Sequence, residues 1–240
     1  MKLLIVRHGD PNYAIDGLTE KGQREVQLLA DRLCRENITA VYCSTLGRAR
    51  LTAEPTLQRL GIAAEYCPWL REFSYVAAKV DYRPAEDICW DILPEYMNAH
   101  PALYSPTDWR REETIPTEVT AAYDEVCTAF DTVLARHGYR RNGTQYTVER
   151  ANHDTVVFVC HYGVSGVLLS HLLNCSPYTI WQHMCTLPTS VTTVYTEERI
   201  QGVASFRCSG IGDVSHLYSA DEPPSFSARF CECFDDNTRH

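Results

Sequence analysis

The sequence predicts an α/β fold: a three-layer α/β/α sandwich with a mostly parallel central sheet and an inserted helical cap. Two apolar runs, KLLIV at 2–6 and TVVFVC at 155–160, are typical of strands buried on both faces. Strand and helix patterns alternate along the chain, which is the order expected of parallel strands joined by crossover helices. The 240 residues, 45% of them hydrophobic, are enough for one domain with a sizeable core.

The segment after the first strand predicts a loop and then an amphipathic helix. Residues 9–17 contain Gly, Pro, Asn and Asp, which favour a loop. Thr19 is the expected N-cap of the helix. Its apolar face comprises Val26, Leu29, Ala30 and Leu33. The residues expected largely off that face are Glu20, Arg24, Glu25, Gln27 and Asp31.

Residues 39–43, 46–60 and 63–67 predict a second strand, a second helix and a short third strand. Residues 73–153 differ, because aromatic residues lie there among prolines and acids. We expect two or three helices in this stretch, including one over 117–136. We interpret the stretch as a cap inserted into a single domain of residues 1–240; ordinary helical packing around the sheet is an equal alternative.

The final third repeats the alternation. A helix is predicted over 163–173, after the strand at 155–160. Residues 191–198 and 203–208 then predict a strand pair around a polar turn, and the tail from Asp221 is expected at the surface.

Composition excludes several classes of protein. The net charge of -9 disfavours nucleic acid and anionic membranes as partners. The 11 cysteines include no CxxC pair and indicate reduced thiols, which are typical of a cytoplasmic protein. No apolar run reaches the length of a membrane span, and the N-terminus lacks the core of a signal peptide. A homodimer is compatible with these features.

The first predicted strand ends in Arg7, His8 and Gly9. Ligands of open α/β sheets bind outside the carboxyl ends of strands. A neutral His8 imidazole can attack phosphorus through one ring nitrogen while the other donates to a carbonyl, and the Arg7 guanidinium matches phosphate oxygens. Gly9 would let the backbone approach a ligand. By itself, the tripeptide fits an ordinary strand end equally well.

Two further segments contain residues that suit an anionic ligand. Residues 42–56, YCSTLGRARLTAEPT, place Arg48 and Arg50 at the start of a helix, where an anion is favoured. The strand at 155–160 is followed by His161, with Gly163 two residues on. Each segment alone fits a structural role, as surface arginines or a core histidine. Together with the first strand, they indicate a phosphate site.

The set of motifs resembles the histidine phosphatase superfamily, in its phosphoglycerate-mutase-like branch. The strongest similarity lies in RHG at 7–9, STLGRARLTA at 44–53, LRE at 70–72 and the strand-terminal His161. LTEKG at 18–22 and GDVSHL at 212–217 also match that group. RHG alone is a weak signal, whereas the ordered set is specific.

The resemblance implies a role for each matching residue. His8 is the implied nucleophile and becomes phosphohistidine. Arg7 and Arg48 are expected to clamp the phosphoryl oxygens, and His161 to donate hydrogen bonds to them. Glu72 is the implied acid that protonates the leaving oxygen and then helps to activate water. Neither a metal nor a cofactor is expected.

The first loop departs from the family pattern. Many relatives continue RHG with Glu or Gln and then Thr, whereas Asp10 and Pro11 follow Gly9 here. Ala14 stands where relatives carry an asparagine that contacts phosphate. Asn12 is the expected substitute, so the predicted phosphate-binding residues are Arg7, Arg48, Asn12 and Gly9.

Two histidine-containing segments lie outside this set. NHD at 152–154 imitates the His-Asp pair of the acid-phosphatase branch, but it precedes a strand instead of following one. His216 belongs to GDVSHL, which is expected near the site and could help to order it.

The predicted activity is hydrolysis of small-molecule phosphate esters through a phosphohistidine intermediate, with inorganic phosphate as the other ligand. A phosphoglycerate-type mutase is the first alternative; it needs a closed, basic pocket, whereas the expected cap is rich in acids and aromatics. A catalytically idle phosphate-binding module is the second, and the filled reactive positions argue against it. A thiol-based redox or metal protein using Cys231, Cys233 and His240 is the third, on a weak ligand pattern.

Overall fold

The computed structural model describes residues 1–75, 88–227 and 233–235. Its strands, in chain order, are β1 Lys2–Arg7, β2 Pro11–Asn12, β3 Gly17–Leu18, β4 Ile38–Ser44, β5 Glu65–Cys67, β6 Tyr139–Asn142, β7 Gln145–Val148, β8 Thr155–Cys160, β9 Val191–Ile200 and β10 Val203–Asp213. Its helices are α1 Glu20–Leu33, α2 Gly47–Leu60, α3 Pro94–Ala99, α4 Thr117–Arg136, α5 Tyr162–Leu173, α6 Pro177–His183 and α7 Ser215–Tyr218.

The central sheet has the strand order β5-β4-β8-β1-β9-β10-β7-β6, and β2 pairs separately with β3. The strands from β5 to β1 run parallel, whereas the pairs from β1–β9 to β7–β6 are antiparallel. The α/β class is confirmed, and the expected mostly parallel sheet is corrected to a mixed one. The reason is geometric, because β9–β10 and β6–β7 are joined by turns too short for a crossover connection.

Helices cover both faces of the sheet, as expected of three layers. Leu4 and Val6 of β1 pack towards α1 and α2, whereas Leu3 and Ile5 pack towards α4 and α5. Successive side chains of a strand point to opposite faces, so a strand that is apolar at every position is buried on both. Within the described residues, no helix has the combination of length and apolar character that a membrane span requires.

Helix α1 follows its predicted pattern with one exception. The Thr19 hydroxyl accepts a hydrogen bond from the amide of Gly22 at 3.0 Å, so the N-cap is confirmed. The predicted apolar face is buried. Glu25, which was expected largely off that face, is fully buried. The prediction was wrong at Glu25 because the C-terminal segment lies over it and donates to it through the amide of Ser225.

The stretch 73–153 contains the expected helix, α4, but is not helical throughout. Asn142 pairs with Gln145, so Gly143, at φ +61°, and Thr144 form a two-residue turn between β6 and β7. This hairpin joins the sheet, because Val203 of β10 pairs with Thr147 of β7. The interpretation as a helical cap is therefore corrected for residues 139–148. Residues 76–87 of the expected cap lie outside the described residues.

Candidate active site

Two histidines meet at the carboxyl edge of the parallel strands. Arg7 of β1 pairs in register with Cys160 of β8, so the residues that follow, His8 and His161, lie side by side. Their ring centroids are 5.0 Å apart. Both side chains are buried, with exposed fractions of 1% and 0%. The sheet register therefore brings together two imidazoles that are more than 150 residues apart in sequence.

The His8 ring is held in one tautomer. Its Nδ1 lies 2.7 Å from the carbonyl oxygen of Gly9, which can only accept a hydrogen bond, so Nδ1 carries the proton. Burial, followed by the charge of Arg7, lowers the pKa of His8 to about 3. The ring is therefore neutral near neutral pH, with the lone pair on Nε2. A neutral imidazole held in this way is suited to attack an electrophile through Nε2.

Arg7 and Arg48 are each oriented through one terminal nitrogen. Arg7 Nη1 donates to the carbonyl oxygens of Thr186 at 2.7 Å and Ser227 at 2.9 Å. Arg48 Nη1 forms an ion pair of 2.6 Å with Oδ1 of Asp16. The Nε atoms of both arginines are buried without a hydrogen-bond partner in the described structure. Each guanidinium is thus fixed on one side and retains donors on the other, which is the arrangement that binds an oxyanion.

His161 also has one satisfied and one unsatisfied ring nitrogen. Its Nε2 lies 2.8 Å from Oγ of Ser44, and that oxygen accepts from the amide of Leu46 at 3.2 Å. Its Nδ1 is buried and has no partner among the described residues. Burial, followed by the proximity of His8, holds the pKa of His161 well below its usual range. The neutral ring can therefore present a hydrogen on Nδ1 only if Ser44 donates to Nε2.

Glu72 lies against the first turn of α5. Its Oε1 accepts hydrogen bonds from the amides of Gly163 at 2.8 Å, Val164 at 3.3 Å and Phe73 at 2.9 Å. Burial raises the pKa of Glu72, while the charge of Arg7 opposes the rise. A raised pKa lets this carboxyl group retain a proton closer to neutral pH, which a general acid requires.

A cavity of about 340 Å³ is lined by Arg7, Arg48 and Glu72. Trp90 and Tyr162 contribute aromatic surface to its lining. Arg71 also lines the cavity. A space of this size, lined by both cations and aromatic rings, suits a small anionic ligand with an organic portion.

Five of the predicted site residues converge, and two do not. Arg7, His8, Arg48, Glu72 and His161 lie around one site, as described above. The Oδ1 atom of Asn12 instead accepts from the amide of Ala14 at 3.2 Å, so its side chain caps its own turn. The expectation that Asn12 replaces the family asparagine is therefore not supported by its contacts.

Gly9 has a different role from the one predicted. A Cβ atom at Gly9 would lie 2.9 Å from Cγ1 of Val26 and 3.2 Å from the carbonyl oxygen of Gly22. Glycine is therefore required here for close packing of the loop on α1. The expected approach of its backbone to a ligand is not supported, because the Gly9 amide donates to Thr52 Oγ1 at 3.0 Å.

Sequence reasoning missed Ser44 and Asp16 as members of the site. Ser44 ends β4, next to the strand that ends before His161, so its position at a strand terminus was an available signal. Asp16 carried no comparable signal, because its contact with Arg48 depends on how the first loop folds. The competing arginine, Arg50, lies over the ring of Tyr66 at 4.9 Å and does not line the cavity, which favours Arg48 as predicted.

Comparison with known proteins gives consistent results. A family model described as the histidine phosphatase superfamily (branch 1) matches residues 3–208. The chain is 24% identical over 237 residues to a probable phosphatase of Schizosaccharomyces pombe, covering 92% of this chain and 97% of that protein. It is 36% identical over 81 residues to a probable phosphoglycerate mutase of Photorhabdus laumondii, covering 30% of this chain and 38% of that protein.

Among solved structures, a phosphoserine phosphatase from Entamoeba histolytica has the same fold. The two superimpose with a TM-score of 0.59 at 16% identity, covering 90% of this chain and 98% of that one.

Proposed function

Because the chain belongs to branch 1 of the histidine phosphatase superfamily, we propose that it hydrolyses phosphate esters of small metabolites through a phosphohistidine intermediate. One observation carries the proposal: Arg7 Nε, Arg48 Nε and His161 Nδ1 are buried without partners in the described structure. Buried polar atoms are almost always paired, and a missing partner is expected where a ligand supplies it. A tetrahedral phosphoryl group offers the acceptors that all three atoms lack.

In the first step, His8 Nε2 attacks phosphorus and the ester bond to the leaving oxygen breaks. Arg7, Arg48 and His161 donate to the phosphoryl oxygens, where charge must be stabilised as the group is transferred. Glu72 gives its proton to the leaving oxygen. The products of this step are an alcohol and a phosphohistidine.

In the second step, ionised Glu72 removes a proton from water as the water oxygen attacks phosphorus. The bond between His8 Nε2 and phosphorus breaks, and inorganic phosphate leaves. Splitting the hydrolysis in this way replaces one difficult step with two easier ones. Ser44 supports both steps, because its hydroxyl must donate to Nε2 of His161 if Nδ1 is to donate to phosphate.

Hydrolysis is favoured over the mutase reaction by two observations. Similarity to the named phosphatase covers nearly the whole chain, whereas similarity to the named mutase covers 81 residues. In addition, the cavity wall includes Trp90, Tyr13 and Ile88, so the organic portion of the ligand meets apolar surface. We also place the activity in the reducing cytoplasm, which the buried free thiols of Cys43 and Cys160 support.

Turnover of p-nitrophenyl phosphate in the presence of EDTA tests the proposal. We expect hydrolysis across pH 5 to 8, because His8 stays neutral above its pKa of about 3 and no step needs a metal. Absence of turnover over this range would favour the idle phosphate-binding alternative. A redox or metal function of the tail is tested separately by metal analysis, since Cys231 and His240 lie outside the described residues.

The role of Glu72 as the acid predicts a loss of rate that depends on the substrate. We expect Glu72→Gln to slow phosphorylation by alkyl phosphates by about 10²–10⁴-fold, and by p-nitrophenyl phosphate much less, because p-nitrophenolate leaves without a proton. Wild-type activity towards alkyl phosphates should fall as the pH rises through the raised pKa of Glu72. Pre-steady-state bursts separate this step from the later attack of water.

Glu65→Gln is the control for this experiment, because Glu65 pairs with Arg136 at an exposed position away from the cavity. Equal losses of burst rate for the two substrate types in Glu72→Gln would remove Glu72 as the acid.

A further inference from the structure

We propose that the C-terminal segment, residues 222–227, completes the phosphate site, and that Asp10 and Glu25 are the positioning residues that anchor it there. This inference rests on the proposed function, which identifies the site as one that binds phosphate. Its evidence is a separate set of contacts. It also accounts for two departures noted above: the residue that follows the RHG motif, and the buried glutamate of α1.

Asp10 is the first anchor. Its Oδ1 accepts hydrogen bonds from the hydroxyls of Ser225 and Ser227, the latter at 2.7 Å. Its Oδ2 accepts from the hydroxyl of Thr19 at 2.6 Å. Burial by itself would raise the pKa of Asp10, but the hydroxyl donors outweigh it and lower the pKa. The side chain is thus an ionised acceptor for the C-terminal segment and is not directed to a ligand.

Glu25 is the second anchor. Its Oε2 accepts from the amide of Asp10 at 3.0 Å, and its Oε1 accepts from the amide of Ser225 at 3.1 Å. One buried carboxyl group therefore bridges the loop after β1 and the C-terminal segment. A fully buried carboxyl group is costly unless it is hydrogen-bonded in this manner, so both amides are needed to stabilise Glu25 where it lies.

The anchored segment reaches Arg7. The carbonyl oxygen of Ser227 accepts from Nη1 of Arg7 at 2.9 Å, beside the carbonyl of Thr186 on the same nitrogen. Two acceptors on one Nη1 restrict rotation of the guanidinium, and Nε remains unpartnered on the side of the site. A guanidinium that is ordered before the ligand arrives loses less entropy on binding. The segment therefore acts on phosphate affinity through Arg7.

A purely structural role for the segment is the competing explanation. Two further attachments of the segment are surface ion pairs of Glu222 with Arg24 and Lys21. Pairs of this type contribute little to stability. The two explanations differ in one respect: a structural role is independent of Arg7, whereas the proposed role requires it.

A double-mutant cycle with inorganic phosphate distinguishes them. Calorimetric titration at fixed ionic strength measures the Kd of wild type, Asp10→Ala, Arg7→Lys and the double variant. We expect Asp10→Ala to raise the Kd about tenfold in the wild-type background, the size of one charged hydrogen bond. In the Arg7→Lys background we expect almost no further change, because the group that Asp10 positions is already gone.

Asp31→Ala is the matched control. Asp31 lies on α1 but pairs with exposed Arg59, so its replacement should leave the Kd unchanged. Circular dichroism and thermal melting establish that each variant is folded. If Asp10→Ala does not fold, the double variant Ser225→Ala/Ser227→Ala takes its place, because it removes the donors to Asp10 and keeps the carboxylate.

Each outcome decides the proposal. An unchanged Kd in the first variant, or equal losses in both backgrounds, would overturn it in favour of a structural tail. Phosphate binding by the wild type with the expected coupling, but without turnover of p-nitrophenyl phosphate, would contradict the proposed hydrolysis and leave this inference standing. Absence of phosphate binding by the wild type would overturn both.

Discussion

Buried histidines lie near the amino end of strand β8 and directly after strands β1 and β8, and the two groups differ in what they contact. At the amino end, His137 has a partner on each ring nitrogen: the hydroxyl of Tyr42 at 3.1 Å and Oδ2 of Asp154 at 3.1 Å. At the carboxyl ends, His8 and His161 each have one protein partner. The Nδ1 atom of His161 is buried without any partner in the described structure.

The number of partners on the ring distinguishes a structural histidine from a histidine of the candidate site better than residue type does. The NHD segment at 152–154 looks like a catalytic motif, but Asp154 and His137 satisfy each other at the opposite edge from the cavity. A buried polar atom without a partner costs about 1–3 kcal/mol, so it persists only where something else compensates for it. A ligand site is indicated here because incomplete contacts occur together on Arg7, Arg48 and His161, which lie close to one another, and not because a histidine is present.

The arginines show the same contrast. Arg141, at the antiparallel side of the sheet, donates from Nε to the carbonyl of Gly143, from Nη1 to Tyr146 and from Nη2 to Asn174. All three of its nitrogens have partners, two within the β6–β7 hairpin and one at the end of α5. Arg7 and Arg48 instead leave Nε unpartnered in the described structure.

The largest expected effect is the loss of kcat when a histidine at the carboxyl ends of the strands is replaced. Replacement of the histidine at the amino end is the comparison. We expect His8→Ala to lower kcat by about four orders of magnitude or more, as loss of a covalent nucleophile does in other enzymes. We expect His137→Ala to keep most of the activity and to lose about 1–3 kcal/mol of stability, because Asp154 and Tyr42 are left unpaired.

Steady-state kinetics and urea unfolding of both variants measure this contrast. A rapid alkaline quench of the wild type should also trap a protein-bound phosphate that is stable to base and released by acid. Fast hydrolysis without such a species would mean that water attacks phosphorus directly.

The next largest effect concerns the arginines. Arg7→Lys and Arg48→Lys should each lower kcat/KM by about 10²–10³-fold, because lysine cannot retain the fixed contact and still present a planar pair of donors. Arg50→Lys should change it only slightly, since Arg50 lies over Tyr66. A large loss of kcat/KM in Arg50→Lys together with a small loss in Arg48→Lys would mean that the wrong arginine has been assigned to phosphate.

A smaller effect is expected from Ser44→Ala. Without the hydroxyl, nothing favours the His161 tautomer that has hydrogen on Nδ1, and kcat should fall by about 10–100-fold, the range for a lost oriented donor. Nitrogen-15 NMR of the ring should show a protonated Nδ1 in the wild type and a mixture of tautomers in the variant.

Ser165→Ala is the control for Ser44→Ala, because that buried hydroxyl donates to the carbonyl of Tyr162 and not to His161. An unprotonated Nδ1 in the wild type would contradict the assignment of Ser44 as the donor.

The last effect is on stability and not on catalysis, and it concerns His216, a buried histidine that does not line the cavity. Burial, followed by the charge of Arg32, lowers the pKa of His216 to about 4. Below the unfolded-state pKa of about 6.5, the unfolded chain binds a proton that the folded chain does not, so acid destabilises the fold. The wild type should lose up to about 1.4 kcal/mol per pH unit relative to His216→Asn between these values.

Urea unfolding of the two proteins from pH 7 to pH 4 measures this difference. Parallel curves of stability against pH would show that His216 titrates normally in the folded protein.

Local sequence was sufficient for much of the fold and for the centre of the site. The runs at 2–6 and 155–160 predicted β1 and β8, Thr19 predicted the start of α1, and residues 117–136 predicted α4. These features depend on periodicity and capping, which act over a few residues. The order of the motifs predicted Arg7, His8, Arg48, Glu72 and His161 as site residues, and their roles in catalysis stay predictions.

Tertiary structure decided the contacts that join distant segments. The β6–β7 hairpin joins the sheet through the pairing of β7 with β10. The first loop was expected to bind phosphate through Asn12, but it folds so that Asn12 caps its own turn. Glu25 is buried by Ser225, 200 residues away, and Arg7 is held by Ser227, 220 residues away. Local periodicity carries no information about such pairs, because they form only when the sheet register and the path of the C-terminal segment place them together.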